Sequence, residues 1–214
     1  MKIIKQEGKT VEEAIRAALE KLGIERENAD IKVIEEGSKG LLGLIGSKNA
    51  VVEVKEKVDH VKVGIEFLKE LFLKLPLEAN VEVVEEETNE EQIYYNIESK
   101  DLGIIIGHRG ETLDAVQYLT SLVINKNTNS YYRVILDAEG YRERRKKTLE
   151  RLARKLAEKA VSTGRKVMLE PMSPQERRII HMYLKDDPRV ITYSEGKEPF
   201  RKVLIEKKET LDNE

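Results

Sequence analysis

Residues 102–111 read Leu-Gly-Ile-Ile-Ile-Gly-His-Arg-Gly-Glu, a short apolar run that leads into two glycines separated by a basic pair. The run predicts a short helix, and the residues after Gly110 predict a second one. Gly107 and Gly110 lack a Cβ, so the backbone of a ligand can approach closely. A helix start offers unpaired amide groups and a positive dipole end to phosphate. The pattern therefore predicts an anion-binding loop, to whose tip His108 and Arg109 add charge.

The elements around this loop are predicted in the order α-β-β-α-α-β. They are a helix over 61–75 that Pro76 ends, strands over 81–86 and 92–98, the two helices that flank the loop, and a strand over 133–136. A bare Gly-x-x-Gly is more often a plain connection between helices. The basic pair and the surrounding order instead resemble a type II KH domain, whose loop holds about four nucleotides.

The N-terminal segment predicts a β-α-β-β order. A strand is predicted over residues 3–6, and Thr10 with Glu13 forms a capping box that starts a helix. Gly23 ends that helix, and strands are predicted over 31–35 and 51–55.

Glycines recur every three residues in the stretch 39–46, Lys-Gly-Leu-Leu-Gly-Leu-Ile-Gly. The stretch lacks the spacing of a dinucleotide-binding loop and the Lys-Ser/Thr ending of a P-loop. A tight, closely packed turn is the favoured interpretation, and an exposed apolar patch that binds a partner is the alternative.

The C-terminal third predicts α/β structure. A long basic helix is predicted over 141–162, with an apolar stripe that includes Leu152. A strand over 166–169 follows, and a capping box at 173–176 then opens a helix that runs to about Leu184. A hairpin over 190–193 and 201–205 completes the segment.

Arg177 and His181 are four residues apart on that second helix, so they are predicted to share a face. Arg178 and Lys185 widen the face, and an Arg with a His can pair with phosphate and stack on a base. A solvated helix face is the plainer interpretation, but five basic residues within 142–147 favour nucleic-acid binding. The residues predicted to point the other way, into the core, are Ile179, Ile180, Tyr183 and Leu184.

Charge is unevenly distributed although the net charge is −2. Residues 1–57 have 11 basic and 11 acidic side chains, residues 58–139 have 7 and 16, and residues 140–214 have 20 and 13. The last segment is therefore the natural binding surface for a polyanion. The chain has no cysteine and three histidines far apart in sequence, so neither a metal site nor a cofactor is expected. No apolar run has membrane-spanning length and no signal peptide is recognised, so a cytoplasmic protein is expected.

Three motifs together resemble the Jag family (SpoIIIJ-associated, KhpB-type) across essentially the whole length. They are Lys-Gly-Leu-Leu-Gly-Leu at 39–44, Ile-Gly-His-Arg-Gly-Glu-Thr-Leu-Asp-Ala at 106–115, and Arg177 with His181. The resemblance implies an α+β chain of three small domains: a Jag N-terminal domain (1–57), a type II KH domain (58–139) and an Arg-x-x-x-His domain (140–207). Residues 208–214 are predicted to be a frayed tail.

The resemblance implies a bacterial single-stranded RNA-binding protein rather than an enzyme. It implies a post-transcriptional, RNA chaperone-like role linked to cell elongation, division and shape. The implied partners are a small KhpA-like KH protein and, functionally, a YidC-type membrane insertase. The RNA-binding residues that it implies are Gly107, His108, Arg109 and Gly110 in the loop, and Arg177, Arg178, His181 and Lys185 in the last domain. His108 stands where such loops often have Lys or Arg.

Two other classes of function remain open from the residues alone. A protein-interaction adaptor would act through the apolar stretch within 39–46, with single-stranded DNA or RNA binding secondary. A nuclease would use His181 with Glu170 or Glu176, but no second histidine or paired carboxylates accompany them.

Overall fold

A computed structural model describes residues 3–38, 48–75, 77–126, 128 and 130–209. The chain forms two compact units, Met1–Phe67 and Leu68–Glu214. Three sequence predictions concern residues outside the described part: the glycine-spaced stretch 39–46, the helix stop at Pro76, and the last residues of the tail.

The N-terminal unit packs one helix on a three-stranded antiparallel sheet. Its elements are β1 (Ile3–Gly8), α1 (Val11–Leu22), β2 (Ala29–Glu35) and β3 (Ala50–Glu56), with strand order β1-β3-β2. Thr10 Oγ1 accepts a hydrogen bond from the Glu13 amide at 3.2 Å, and Gly23 ends α1 in the left-handed conformation. The predicted β-α-β-β order is confirmed.

The second unit begins within a helix that crosses from the first. Its elements are α2 (His60–Lys74), β4 (Ala79–Val83), β5 (Gln92–Ser99), α3 (Leu102–Ile106), α4 (Glu111–Asn125), β6 (Arg133–Ala138), α5 (Tyr141–Thr163), β7 (Val167–Met168), α6 (Pro174–Leu184), β8 (Val190–Glu195) and β9 (Lys202–Lys207). The helix and strand order of the KH resemblance, α-β-β-α-α-β, is confirmed over α2 to β6.

Two separate sheets organise this unit. The first has the order β4-β5-β6, with β4 antiparallel and β6 parallel to β5. Because β5 and β6 are parallel, their carboxyl ends lie at the same edge, and α3 and α5 both leave from that edge. The second sheet, β7-β9-β8, is antiparallel. The α+β class is confirmed.

The helices α5 and α6 build the second core. The fully buried side chains of this cluster are Leu149, Ala153, Ala157, Ala160, Leu169, Met172, Ile180, Leu184, Val190, Val203 and Ile205. Leu152, predicted in the apolar stripe of α5, is 39% exposed. The stripe is narrower than predicted because small alanines let α5 approach the sheet closely.

No helix among the described residues has both the length and the apolar character needed to cross a membrane.

Candidate nucleic-acid interface

The Gly-His-Arg-Gly loop has a backbone that requires glycine at both ends. Gly107 has φ 71° and ψ −170°, a combination essentially limited to glycine. A Cβ there would lie 2.0 Å from Thr112 Oγ1. Gly110 has φ 89°, and a Cβ there would lie 2.9 Å from Tyr141 Cε1. The loop therefore turns tightly between α3 and α4 while resting on the first residue of α5.

The start of α4 is open to a ligand in a way that α1 and α6 are not. Thr10 and Ser173 cap those two helices with a side-chain oxygen, whereas Gly110 gives α4 no side-chain cap. The His108 side chain beside this start is 72% exposed, and its Nδ1 lies 3.8 Å from Glu111 Oε1. The helix start and an exposed imidazole are thus presented together, next to one carboxylate.

The side chain of Arg109 does not project from the loop tip as predicted. Its Nη1 donates to the Pro171 carbonyl at 2.7 Å, its Nη2 pairs with the Glu170 carboxylate, and the side chain is 24% exposed. Arg109 has a left-handed backbone, with φ 55°. The structure therefore ties the loop to the segment between β7 and α6.

Arg177 holds the next carbonyl of that same segment. Its Nη1 donates to the Met172 carbonyl at 2.7 Å, and its Nη2 pairs with Glu198 Oε1 at 2.6 Å. Two arginines, one from each predicted nucleic-acid motif, thus bind adjacent carbonyls, of Pro171 and Met172. The two motifs are joined through residues 170–172.

The face prediction for α6 needs correction. Arg177 is buried, with only 7% of its surface exposed, and it shares its face with the core residues Ile180 and Leu184. Those two were predicted to point away from it. Tyr183, predicted to be in the core, is 41% exposed. The prediction failed because Arg177 is neutralised by Glu198 and a carbonyl, which lets a charged residue occupy a core-facing position.

His181 lies at a groove between α6 and β8. Its Nδ1 is 2.7 Å from Thr192 Oγ1 and its Nε2 is 2.8 Å from Ser194 Oγ. Burial lowers the pKa of His181 below its usual value, and the charges of Arg177 and Arg201 lower it further. The imidazole is therefore a neutral ring suited to stacking and hydrogen bonding rather than a phosphate-binding cation.

The groove has a volume of about 700 Å³ and a partly basic rim. Lys185, Arg201 and Lys208 line it together with His181. Asp187 also lines it, but Arg189 forms two hydrogen bonds to this carboxylate and lowers its pKa to about 2. Of the predicted C-terminal residues, the groove brings together His181 and Lys185. Arg177 lies buried behind them, and the exposed Arg178 is not among the lining residues.

Sequence reasoning missed Thr192, Ser194 and Arg201. The first two are two apart on a strand, so they share a face; that alternation was a readable signal. Arg201 comes from the loop before β9 and carried no local signal.

The acidic turn of the KH domain lies away from the Gly-His-Arg-Gly loop, as expected. Residues 85–91 connect β4 to the amino end of β5, and the Arg133 amide at the start of β6 donates to the Glu91 carbonyl at 2.8 Å. The loop follows the opposite end of β5. An eight-residue strand spans roughly 26 Å, so this acidic turn does not lie beside the loop.

Comparison with known proteins gives relatives along nearly the full chain. The RNA-binding protein KhpB of Clostridium symbiosum is 47% identical over 205 residues, which are 96% of this chain and 91% of that protein. The KhpB protein of Bacillus subtilis is 36% identical over 210 residues, or 97% of this chain and 100% of its relative. The chain belongs to the KhpB family. A more distant KhpB, from Streptococcus pneumoniae, is 30% identical over 92% of this chain and 56% of its own length.

Three family matches follow the KhpB chain in order. Residues 6–56 match the Jag N-terminus, 62–136 match the KhpA/KhpB KH domain, and 147–207 match the domain family named for its Arg-x-x-x-His motif. The resemblance drawn from the three sequence motifs is confirmed. The relatives are named as RNA-binding proteins rather than enzymes. The boundaries 57/58, 139/140 and 207/208 stay predictions.

Arg177→Ala is expected to destabilise this KhpB chain by about 1–3 kcal/mol, because it leaves a buried carbonyl and a carboxylate without their partner. Arg178→Ala, one residue along and exposed, is expected to change the free energy of unfolding by less than about 0.5 kcal/mol. Urea unfolding of both variants measures the difference. Equal stabilities would show that the Arg177–Glu198 contact is not formed.

The stability of the chain is expected to fall as pH is lowered from 7 to 5, in part through His181. Its pKa is lowered in the folded state, so the unfolded chain binds more protons over this range and acid favours unfolding. His181→Gln stays neutral and is expected to lose less stability over the same interval. Melting curves of both proteins at several pH values, at fixed ionic strength, test this. Parallel losses would contradict the assignment.

Proposed function

We propose that this chain binds single-stranded RNA through two coupled surfaces, the Gly-His-Arg-Gly loop and the His181 groove. The observation that carries the proposal is the loop itself: a glycine-only backbone at the uncapped start of α4. The relatives that are similar over nearly the full chain are named RNA-binding proteins, which supports RNA as the ligand.

The loop binds the sugar–phosphate backbone. Gly107 and Gly110 allow close approach, and the start of α4 supplies amide donors and a partial positive charge. His108 adds a hydrogen-bond donor at its most exposed position. Arg109 becomes a phosphate ligand when a strand competes with Glu170 for its guanidinium, since both offer anionic oxygens to the same planar donor.

The groove receives a base and its flanking phosphate. The neutral His181 ring and the hydroxyls of Thr192 and Ser194 offer stacking and hydrogen bonds. Lys185 and Arg201 supply the positive charge that His181 lacks. Arg178, exposed on the same helix, adds to the electrostatic attraction, while Arg177 positions the helix rather than touching RNA.

A titration tests the proposal. Fluorescent 20-mer single-stranded RNA and its DNA equivalent are titrated with the full chain at several salt concentrations. We expect RNA affinity to fall with salt at a slope of about −0.7 per phosphate contact on logarithmic axes, and RNA to be preferred. Absence of binding to either strand, even near 50 mM salt, would contradict the proposal.

The finer roles rest on the family resemblance alone. They are post-transcriptional, chaperone-like action on RNA, a link to cell elongation, division and shape, a small KhpA-like KH partner, and a functional link to a YidC-type insertase. The adaptor alternative depends on the stretch 39–46, which is outside the described residues.

A further inference from the structure

The long helix α5 has a basic face that neither predicted motif includes. The helix has nine basic and three acidic side chains. One face is occupied by contacts that fix the fold: Arg142 pairs with Asp114 at 2.8 Å and Arg145 with Glu176 at 2.6 Å. Those two arginines are therefore structural, and the remaining basic residues need a separate account.

Four other basic residues lie on a different, exposed face. Arg144, Lys147, Arg151 and Arg154 follow each other at spacings of three and four, which places them on one side of a helix. Over ten residues the row extends roughly 15 Å along the axis. At about 3.4 Å per nucleotide of a helical strand, that length matches about four nucleotides.

An exposed aromatic side chain completes this surface. The same four basic side chains line a shallow cavity of about 540 Å³ together with Thr148, Glu150 and Tyr183 of α6. Tyr183 is 41% exposed, although its helix position had predicted a core residue. A basic row beside an exposed ring is the combination that binds single strands, since cations hold the phosphates and the ring stacks on a base.

The charges on this face are only partly neutralised. Lys147 pairs with Glu143 at 3.4 Å, and Arg144 donates to the Glu139 carbonyl. Among the described residues, no ion pair engages Arg151 or Arg154; Arg151 donates only to Thr148 Oγ1, at 3.3 Å. A merely solvated face is expected to show cations paired along the helix, as Lys147 is, and Arg151 with Arg154 departs from that.

We propose that the row Arg144, Lys147, Arg151 and Arg154, with Tyr183, is a third contact surface for single-stranded RNA. It rests on the proposed RNA-binding function and extends it, because a strand held by the loop and the groove would continue along α5. Its ligand class is the sugar–phosphate backbone with one stacked base, without sequence readout.

The test compares two double variants with equal loss of charge on the same helix. Arg151→Gln with Arg154→Gln removes two members of the row, and Lys155→Gln with Lys159→Gln removes two exposed cations that do not line the cavity. We expect the first to reduce the salt slope of RNA binding by roughly 1.4, or about 0.7 per lost contact, and the second to reduce it much less. Equal effects would overturn the proposal.

Tyr183 provides an independent test. Tyr183→Ala is expected to weaken RNA binding about fivefold or more, and Tyr183→Phe to leave it near wild type, because the ring rather than the hydroxyl stacks. Equal affinity of all three proteins would overturn the stacking role. If the wild type binds no RNA, the proposed function itself fails; if it binds and these variants match their controls, only the third surface fails.

Discussion

Gly107→Ala is expected to weaken RNA binding by about tenfold or more and to lower the free energy of unfolding by about 1–3 kcal/mol. The added Cβ would meet Thr112 Oγ1 at 2.0 Å, and the φ of 71° disfavours any side chain. The loop must therefore move away from the start of α4, where the phosphate is proposed to bind. Titration of single-stranded RNA and urea unfolding measure the two effects.

Gly103→Ala is the matched control on the adjoining helix. A Cβ at Gly103 meets nothing within 4 Å, and its φ is not positive. Alanine favours a helix over glycine by up to about 1 kcal/mol, so this variant is expected to bind RNA normally with equal or higher stability. Normal RNA binding by Gly107→Ala would show that the loop conformation is not required.

Glu170→Gln is expected to strengthen RNA binding by up to about fivefold. The change weakens the ion pair that holds Arg109, and a partly exposed pair contributes up to about 1 kcal/mol. Arg109 is then released to a phosphate at lower cost. Affinity for the same single-stranded RNA at 0.1 M salt is the measurement.

Two controls separate this release from a general charge effect. Glu195→Gln removes an equal charge from an exposed position on β8 and is expected to change affinity less. In an Arg109→Ala background, Glu170→Gln is expected to have no effect, since the arginine through which it acts is absent. An equal gain in both backgrounds would contradict competition between Glu170 and RNA.

The loop could be read from sequence because its determinants are local. Two glycines at a fixed spacing, an apolar run before them and a helix after them specify a tight turn whatever surrounds it. The element order followed from the same kind of signal: Thr10 and Ser173 start helices, and Gly23 ends one.

Contacts between distant segments could not be read in this way. Arg109 meets Glu170 across 61 residues, and Arg177 meets Glu198 across 21. Helical spacing says that Arg177 and His181 share a face, but not whether that face is solvent or core. Here a carboxylate from the following loop neutralises Arg177, so the buried side of α6 includes a charge and Tyr183 is left exposed.

Hydrogen exchange of the full chain, with and without single-stranded RNA, tests most directly that RNA binds at this loop. RNA is expected to slow exchange of the amides of residues 107–114, at the loop and the start of α4, and to leave the acidic turn at 85–91 unchanged. Unaltered exchange at 107–114 under saturating RNA, with protection elsewhere, would contradict the assignment of the loop as the RNA-binding site.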